Sequence, residues 1–311
     1  MRKVFARAVA GLMALLVFSM VAAAQGNQTG RGGQAQAGRG AQAQAPHSPW
    51  KFYPMDRAVG DGGPAPKREL TGTWAGPGSG MAVPRGDNVE SPKAPPFTPL
   101  GKQLFDMNKP IGLYSPAGSN DPHTRYCDPL GVPQNMTNEI RGLQIATMPN
   151  KVILLIQYMD VWREIWTDGR ALPTNVGAPG KDSLNPKYNG YSVGHWEDDY
   201  NFVVETTGLA PETWATKGGQ PHSIDAHVTE RFTRVSKNDM KLNIVLTDPK
   251  IYTAPFVIGT LNFRWVPSQQ LDDFTCIPSE VQEYLKTMAD PAGFDAGAAA
   301  QEQGGRGGRG R

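Results

Sequence analysis

Chemistry-bearing side chains crowd one stretch of this chain: His195, Glu197, Glu205, His222, Asp225, His227, Glu230 and Arg231 all fall within residues 195–231. Imidazoles beside carboxylates suit two tasks, holding a metal ion or moving a proton as general acid and base. Spacing tests both. His195 and Glu197 sit at i, i+2 and share a strand face, whereas His222 and His227 face opposite sides of a straight strand and converge only if Pro221–Asp225 is a loop. No His-Glu-x-x-His helix and no His-x-His strand pair occurs, so no metal site is assigned and no cofactor is expected. Hydrogen bonding of His222 and His227 to turn backbone and a neighbouring strand is the plain alternative.

Ser192 and Ser223 are the nearby hydroxyls, but neither lies in Gly-x-Ser-x-Gly, which argues against an activated serine. Glu205, Glu230 and Asp225 offer paired carboxylates of the kind that cleave glycosides. Pairing of Glu205 and Glu230 with Arg163, Arg231 or Arg234 across strands is the competing use. Trp162, Trp166, Trp196, Trp214 and Trp265, with Tyr158, Tyr191 and Tyr252, either line an aromatic pocket for a sugar, sterol or polyene or pack as core. Residues 208–219 form a long connection carrying an exposed-type Trp214, and such loops sit at barrel mouths where ligands enter. The expected ligand-binding set is therefore His195, Trp196, Trp214, His222, His227 and Arg231, with His222, His227 and Glu230 as catalytic candidates.

The elements that must position these residues are strands. From residue 140 onward, extended segments follow one another at 140–148, 151–159, 161–167, 190–196, 200–207, 226–235, 240–247 and 256–266. Pro149-Asn150, Asp168-Gly169, Glu197–Asp199, Ser236–Asp239 and Asp248-Pro249 mark turns between them. Short links predict an antiparallel meander, and with a further strand at Leu70–Trp74 about nine strands are available to close a barrel. Alternation is regular: Leu242, Ile244 and Leu246 oppose Lys241, Asn243 and Val245, and Leu261, Phe263 and Trp265 oppose Thr260, Asn262 and Arg264. One face is apolar and one polar, which leaves open whether the polar face meets solvent or a wet lumen. The preceding arm, 49–139, is rich in Pro and Gly. Its second island of order is a brief helix at Thr98–Phe105, with a Thr cap and Pro at the first turn. A last helix is expected at Ser279–Met288, capped by Ser279.

The flanks place the molecule. Arg2, Lys3 and Arg7 precede an apolar run, Ala8–Met20, and a small-residue stretch ending at Ala24, the pattern of a secretory signal peptide over residues 1–24. The mature chain is thus expected to be exported, periplasmic or extracellular, with no transmembrane segment after signal removal. Residues 25–48 and 292–311 are low-complexity Gly/Gln/Ala and Gly/Arg tracts, expected to be disordered. They flank a single domain at 49–291. The formal net charge of the whole chain is +2, but the tails hold much of its arginine and leave 49–291 mildly acidic, which argues against nucleic acid as a partner. Two cysteines, Cys127 and Cys276, are an even number in an oxidising compartment and are expected to pair.

Two resemblances follow from these residues. Gly72-x-Trp74 on a first strand with Arg264 on a last strand resembles the signature of lipocalin-like barrels, which implies that Trp74 closes the barrel base with Arg264 packed across its ring. Over roughly 70–285 the chain resembles a large family of proteins exported by environmental bacteria. The matching stretches are Tyr191–Glu197, Val203–Gly208, Pro221–Ser223, His227–Phe232 and Asp248–Thr253. That resemblance implies a lipocalin-like barrel and transfers no catalytic residues. The reading is an all-β, lipocalin-like barrel that binds a small, partly apolar ligand. The alternatives are a barrel hydrolase or isomerase using His222 or His227 with Glu230, and a cell-envelope interaction module.

Overall fold

A computed structural model describes residues 60–76, 94–108, 120–137 and 142–289, all within one compact unit. The expected signal peptide and both low-complexity flanks lie outside the described residues. Nine strands form a closed barrel in chain order: β1 (Gly72–Ala75), β2 (Leu143–Met148), β3 (Lys151–Ile156), β4 (Val161–Trp166), β5 (Tyr191–Trp196), β6 (Asn201–Thr207), β7 (His227–Arg234), β8 (Asp239–Thr247) and β9 (Phe256–Trp265). Closure is antiparallel, with Trp74 opposite Trp265 and Ala75 opposite Arg264.

The expected meander holds at every junction but one. β4 and β5 run parallel, in register only at Trp166 and Val193. Asp168-Gly169 does not turn the chain straight back. Residues 167–190, broken by Pro173, Pro179 and Pro186, loop out and come back beside the end of β4, so β5 sets off in the same direction as β4. A long crossover is what parallel pairing requires.

Alternation decides the interior. Leu154 and Ile156, Phe202 and Val204, Leu242 and Ile244, and Leu261 and Phe263 point inward and are buried. The polar rows, including Thr229, Arg231, Lys241 and Asn243, face outward. A register shift between Ile244 and Val245, opposite Gly259, keeps both ends of β9 in phase with the core. The polar face therefore meets solvent, and hydrocarbon packs the centre.

Both ends are covered. At the β7–β8 end, residues 60–70 form a strap: Lys237 N–H donates to Gly63 O (3.0 Å), Asn238 N–H to Asp61 O (2.9 Å) and Arg68 N–H to Asp199 O (2.7 Å). Trp74 seals that end from within, its Nε1 donating to Leu70 O at 3.0 Å. The cation over its ring is Arg234, 4.6 Å from the centroid, and not Arg264. The reason is parity. Arg234 belongs to the inward row of β7, whereas Arg264 lies on the outward row of β9 and pairs with Asp239 at 2.6 Å. At the β6–β7 end, residues 208–226 and 248–255 fold over the core, and helix α1 (Pro99–Met107) lies on them. Thr98 caps α1 as expected, its Oγ1 accepting from Gly101 N–H at 3.0 Å. Gly101 is obligatory here, because a Cβ would lie 2.1 Å from Ile251 O.

The other helices among the described residues are α2 (Pro122–Tyr126), α3 (Gln134–Thr137), a 3-10 turn at Tyr158–Asp160 where the strand expected to reach 159 has already ended at Ile156, and α4 (Pro278–Tyr284), the last continued by a wider turn at Leu285–Ala289. The cap of α4 is Ile277 with Pro278 at the first turn, and no side chain bonds the helix N-terminus, so the expected Ser279 cap is not used. Cys127 and Cys276 are joined, tying α2 to the segment before α4. The bridge spans a sequence separation of 149. Replacing both cysteines by serine should cost about 5 kcal/mol of unfolding free energy by loss of loop-closure constraint. Urea unfolding of the oxidised protein and the double variant measures this, and coincident midpoints would refute it.

Candidate functional site

Parallel pairing at a single residue pair leaves the barrel wall open between β4 and β5, and side chains bridge the gap from inside. Arg163 on β4 and Ser192 on β5 both point inward. The Arg163 guanidinium donates to Ser192 Oγ from Nε and Nη2 (3.3 and 3.1 Å), to Thr206 Oγ1 on β6 (2.8 Å), and to both oxygens of Glu230 on β7 (3.0 and 2.5 Å). Ser192 and Thr206 hydroxyls meet at 2.9 Å. The side chains of Arg163 and Glu230 are 1% and 0% exposed, so the pair is fully withdrawn from water. A bidentate fork in which each guanidinium nitrogen has at least one partner is the geometry that offsets such desolvation. Gly194 makes room beside it: a Cβ there would meet Phe202 at 2.5 Å and Ile165 at 2.8 Å.

Outside this floor lies a cleft of about 440 Å³, walled by β4, β5 and the crossover. Trp162 and Trp166 project from one wall and Tyr191 from the other, with Leu172, Pro173 and Leu184 of the crossover across the opening. Trp162 is 68% exposed, an unusual position for the largest apolar side chain. Cations lie against the other two rings. The Arg170 guanidinium sits 3.6 Å and the Lys151 ammonium 4.5 Å from the Trp166 ring centroid, and the Lys187 ammonium is 4.3 Å from that of Tyr191. Arg170 also grips Asp168, and the guanidinium's hydrogen bonds hold that carboxyl below the usual carboxylate range. Beside the cleft, Asn189 accepts at Oδ1 from Asn135 Nδ2 (2.9 Å), while Asn135 Oδ1 is buried without a partner.

The residues expected to form a site do not gather. His195 is exposed on β5, and Trp196 packs against Phe202 with ring centroids 5.2 Å apart. Arg231 forks onto Glu197 on the outer surface, Nη2 donating to Oε1 at 2.8 Å. His227 sits on the same outward row, its Nε2 3.9 Å from Glu205 Oε1. Glu230 points the other way, into the barrel, because it lies three residues from His227 on an alternating strand. Trp214, read as exposed-type, is only 3% exposed: it bridges to Pro221 and helps plug the barrel end. His222 is buried in the same plug, with Nε2 2.8 Å from Thr213 Oγ1 and Nδ1 3.1 Å from Ser223 O. No cluster of three or more His, Cys, Asp or Glu able to hold a metal ion occurs among the described residues.

Three aromatics named in the sequence, Trp162, Trp166 and Tyr191, do converge, on a cleft that the sequence reading did not place. A signal for its floor was present. In Val161-Trp-Arg163-Glu-Ile165 and in Val228-Thr-Glu230-Arg-Phe232, one charge of each sign occupies a core row. Two such intrusions of opposite sign predict each other.

Fold and cleft together define a closed nine-stranded β-barrel with a lateral opening at its one parallel seam. No family model matches the chain, and no curated protein or solved structure matches it significantly.

Two outcomes test these interiors. Glu230→Gln should lower unfolding free energy by about 3–5 kcal/mol by stranding the Arg163 charge, whereas Arg163→Met with Glu230→Leu should recover most of that loss. Chemical denaturation of the three proteins reads this, and a double variant weaker than the single would refute it. Burial pushes the His222 imidazole below its ordinary value of 6.5. The unfolded chain then binds that proton first, so stability is full above pH 6.5 and declines as pH falls from there toward the folded value. Melting temperatures across pH 5–8 should show this decline, and His222→Asn should flatten it.

Proposed function

We propose that this chain is an exported, lipocalin-like binding protein that takes a small, partly apolar ligand in the lateral cleft between β4 and β5. The carrying observation is the cleft itself: about 440 Å³, aromatic on both walls, lying over the buried Arg163–Ser192 network. Small-molecule sites have this size and this composition, mostly apolar with a few fixed polar groups. The interior is packed and the ends are covered, so this reading puts the guest at the seam and not in a central lumen. Export is supported by the signal-like residues 1–24 and by the pairing of both cysteines, since disulfides persist in oxidising compartments. Among the described residues no helix is long and apolar enough to cross a membrane.

The neutral fluorophore 1-aminoanthracene tests the reading. It should bind the purified protein with enhanced emission, and Trp162→Ala should weaken binding about tenfold. Trp162 is exposed, so its loss leaves the core intact. An unchanged Kd in that variant would place any binding elsewhere and overturn the proposal.

A further inference from the structure

Charges around the cleft are matched one by one, with a single exception. Arg163 is satisfied by Glu230 at 2.5 Å, Arg170 by Asp168 at 2.7 Å, and Glu164 by Lys151 at 2.6 Å. Lys187 has no carboxylate within ion-pairing distance among the described residues, and its ammonium rests over the Tyr191 ring. It is exposed and faces the opening.

Its backbone, by contrast, is fixed. Lys187 N–H donates to Gly208 O at 3.0 Å, and Lys187 O accepts from Gly190 N–H and Ala210 N–H, each at 3.0 Å. These bonds dock the crossover onto the start of the 208–226 plug and pair Lys187 with Leu209. The pinned main chain fixes where the side chain starts and the Tyr191 ring gives its ammonium a resting place, which lowers the ordering cost of engaging a ligand. Around it, Trp162 (68%) and Leu184 (38%) leave apolar surface exposed at the rim.

We infer that the cleft selects small carboxylic acids with an apolar, ring-bearing body, the carboxylate pairing with Lys187 and the body covering Trp162 and Leu184. This inference rests on the cleft being the binding site. One uncompensated cation matches one negative charge. A phosphate dianion would call for a second, and a cationic ligand would meet Lys187 as a like charge.

The test uses a matched pair, 2-naphthoate and 2-naphthamide, titrated calorimetrically into the full-length exported protein at pH 7. The acid should bind about two- to fivefold more tightly than the amide. That preference should fall toward one in Lys187→Gln, persist in Lys187→Arg, and shrink as salt is raised. Equal affinities in the wild-type protein, or a preference surviving in Lys187→Gln, would overturn the inference while leaving the cleft as a binding site. Failure of both probes to bind would remove the cleft reading and this inference with it.

Discussion

A barrel wall is ordinarily held by backbone ladders, but here one joint depends on a side chain. Between β4 and β5 the ladder is reduced to Trp166 and Val193, and the chain on either side of that pair must be secured otherwise. Arg163 does this from the interior, reaching β5 through Ser192, β6 through Thr206 and β7 through Glu230. Neither charge would survive burial alone, since an isolated ion in a hydrocarbon interior costs many kcal/mol. The two form a single structural unit that spans the seam. The same arrangement that holds the wall together leaves it incompletely zipped, and the opening is where the aromatic cleft lies.

This geometry also separates what the histidines do from what their number suggests. His195 and His227 decorate the outside of the sheet, His222 fills a buried plug, and His123 braces the disulfide region through Asp128 O at 2.8 Å and the Tyr158 hydroxyl at 2.7 Å. Each has its own local partners or its own face of the barrel. A cluster in sequence became a dispersion in space because strand alternation and the β6–β7 connection carry neighbours to opposite sides.

Much of the fold was legible, for reasons tied to particular residues. Strict alternation in Met240–Thr247 and in Gly259–Trp265 marked inward and outward rows, and Thr98-Pro99 marked a helix start. The Cys127–Cys276 bond followed from parity and compartment. Three things were hidden. The parallel joint is invisible to a pattern that reports strands but not where the chain goes between them. Helices α2 and α3 are too short to show a period, and Gln134, Asn135 and Met136 are all buried, so no amphipathic stripe exists to read. The cleft draws its walls from β4, β5 and a crossover with no strand or helix of its own, and the proximity of Lys187 to Tyr191 depends on where Gly208 and Ala210 pin that crossover.

The closing contact of the barrel joins its first strand to its last. Trp74 pairs with Trp265, and Gly60 O accepts from the Arg264 guanidinium, so the ring closes only when the last strand meets the first, whose other edge pairs with β2. Contacts between such distant parts of a chain are reached late and at high loop-closure cost, which puts barrels of this kind among slow folders. Until β9 is available, β1 and β8 each carry an unpaired edge. Closing the ring at β9 therefore covers both of these edges in one step.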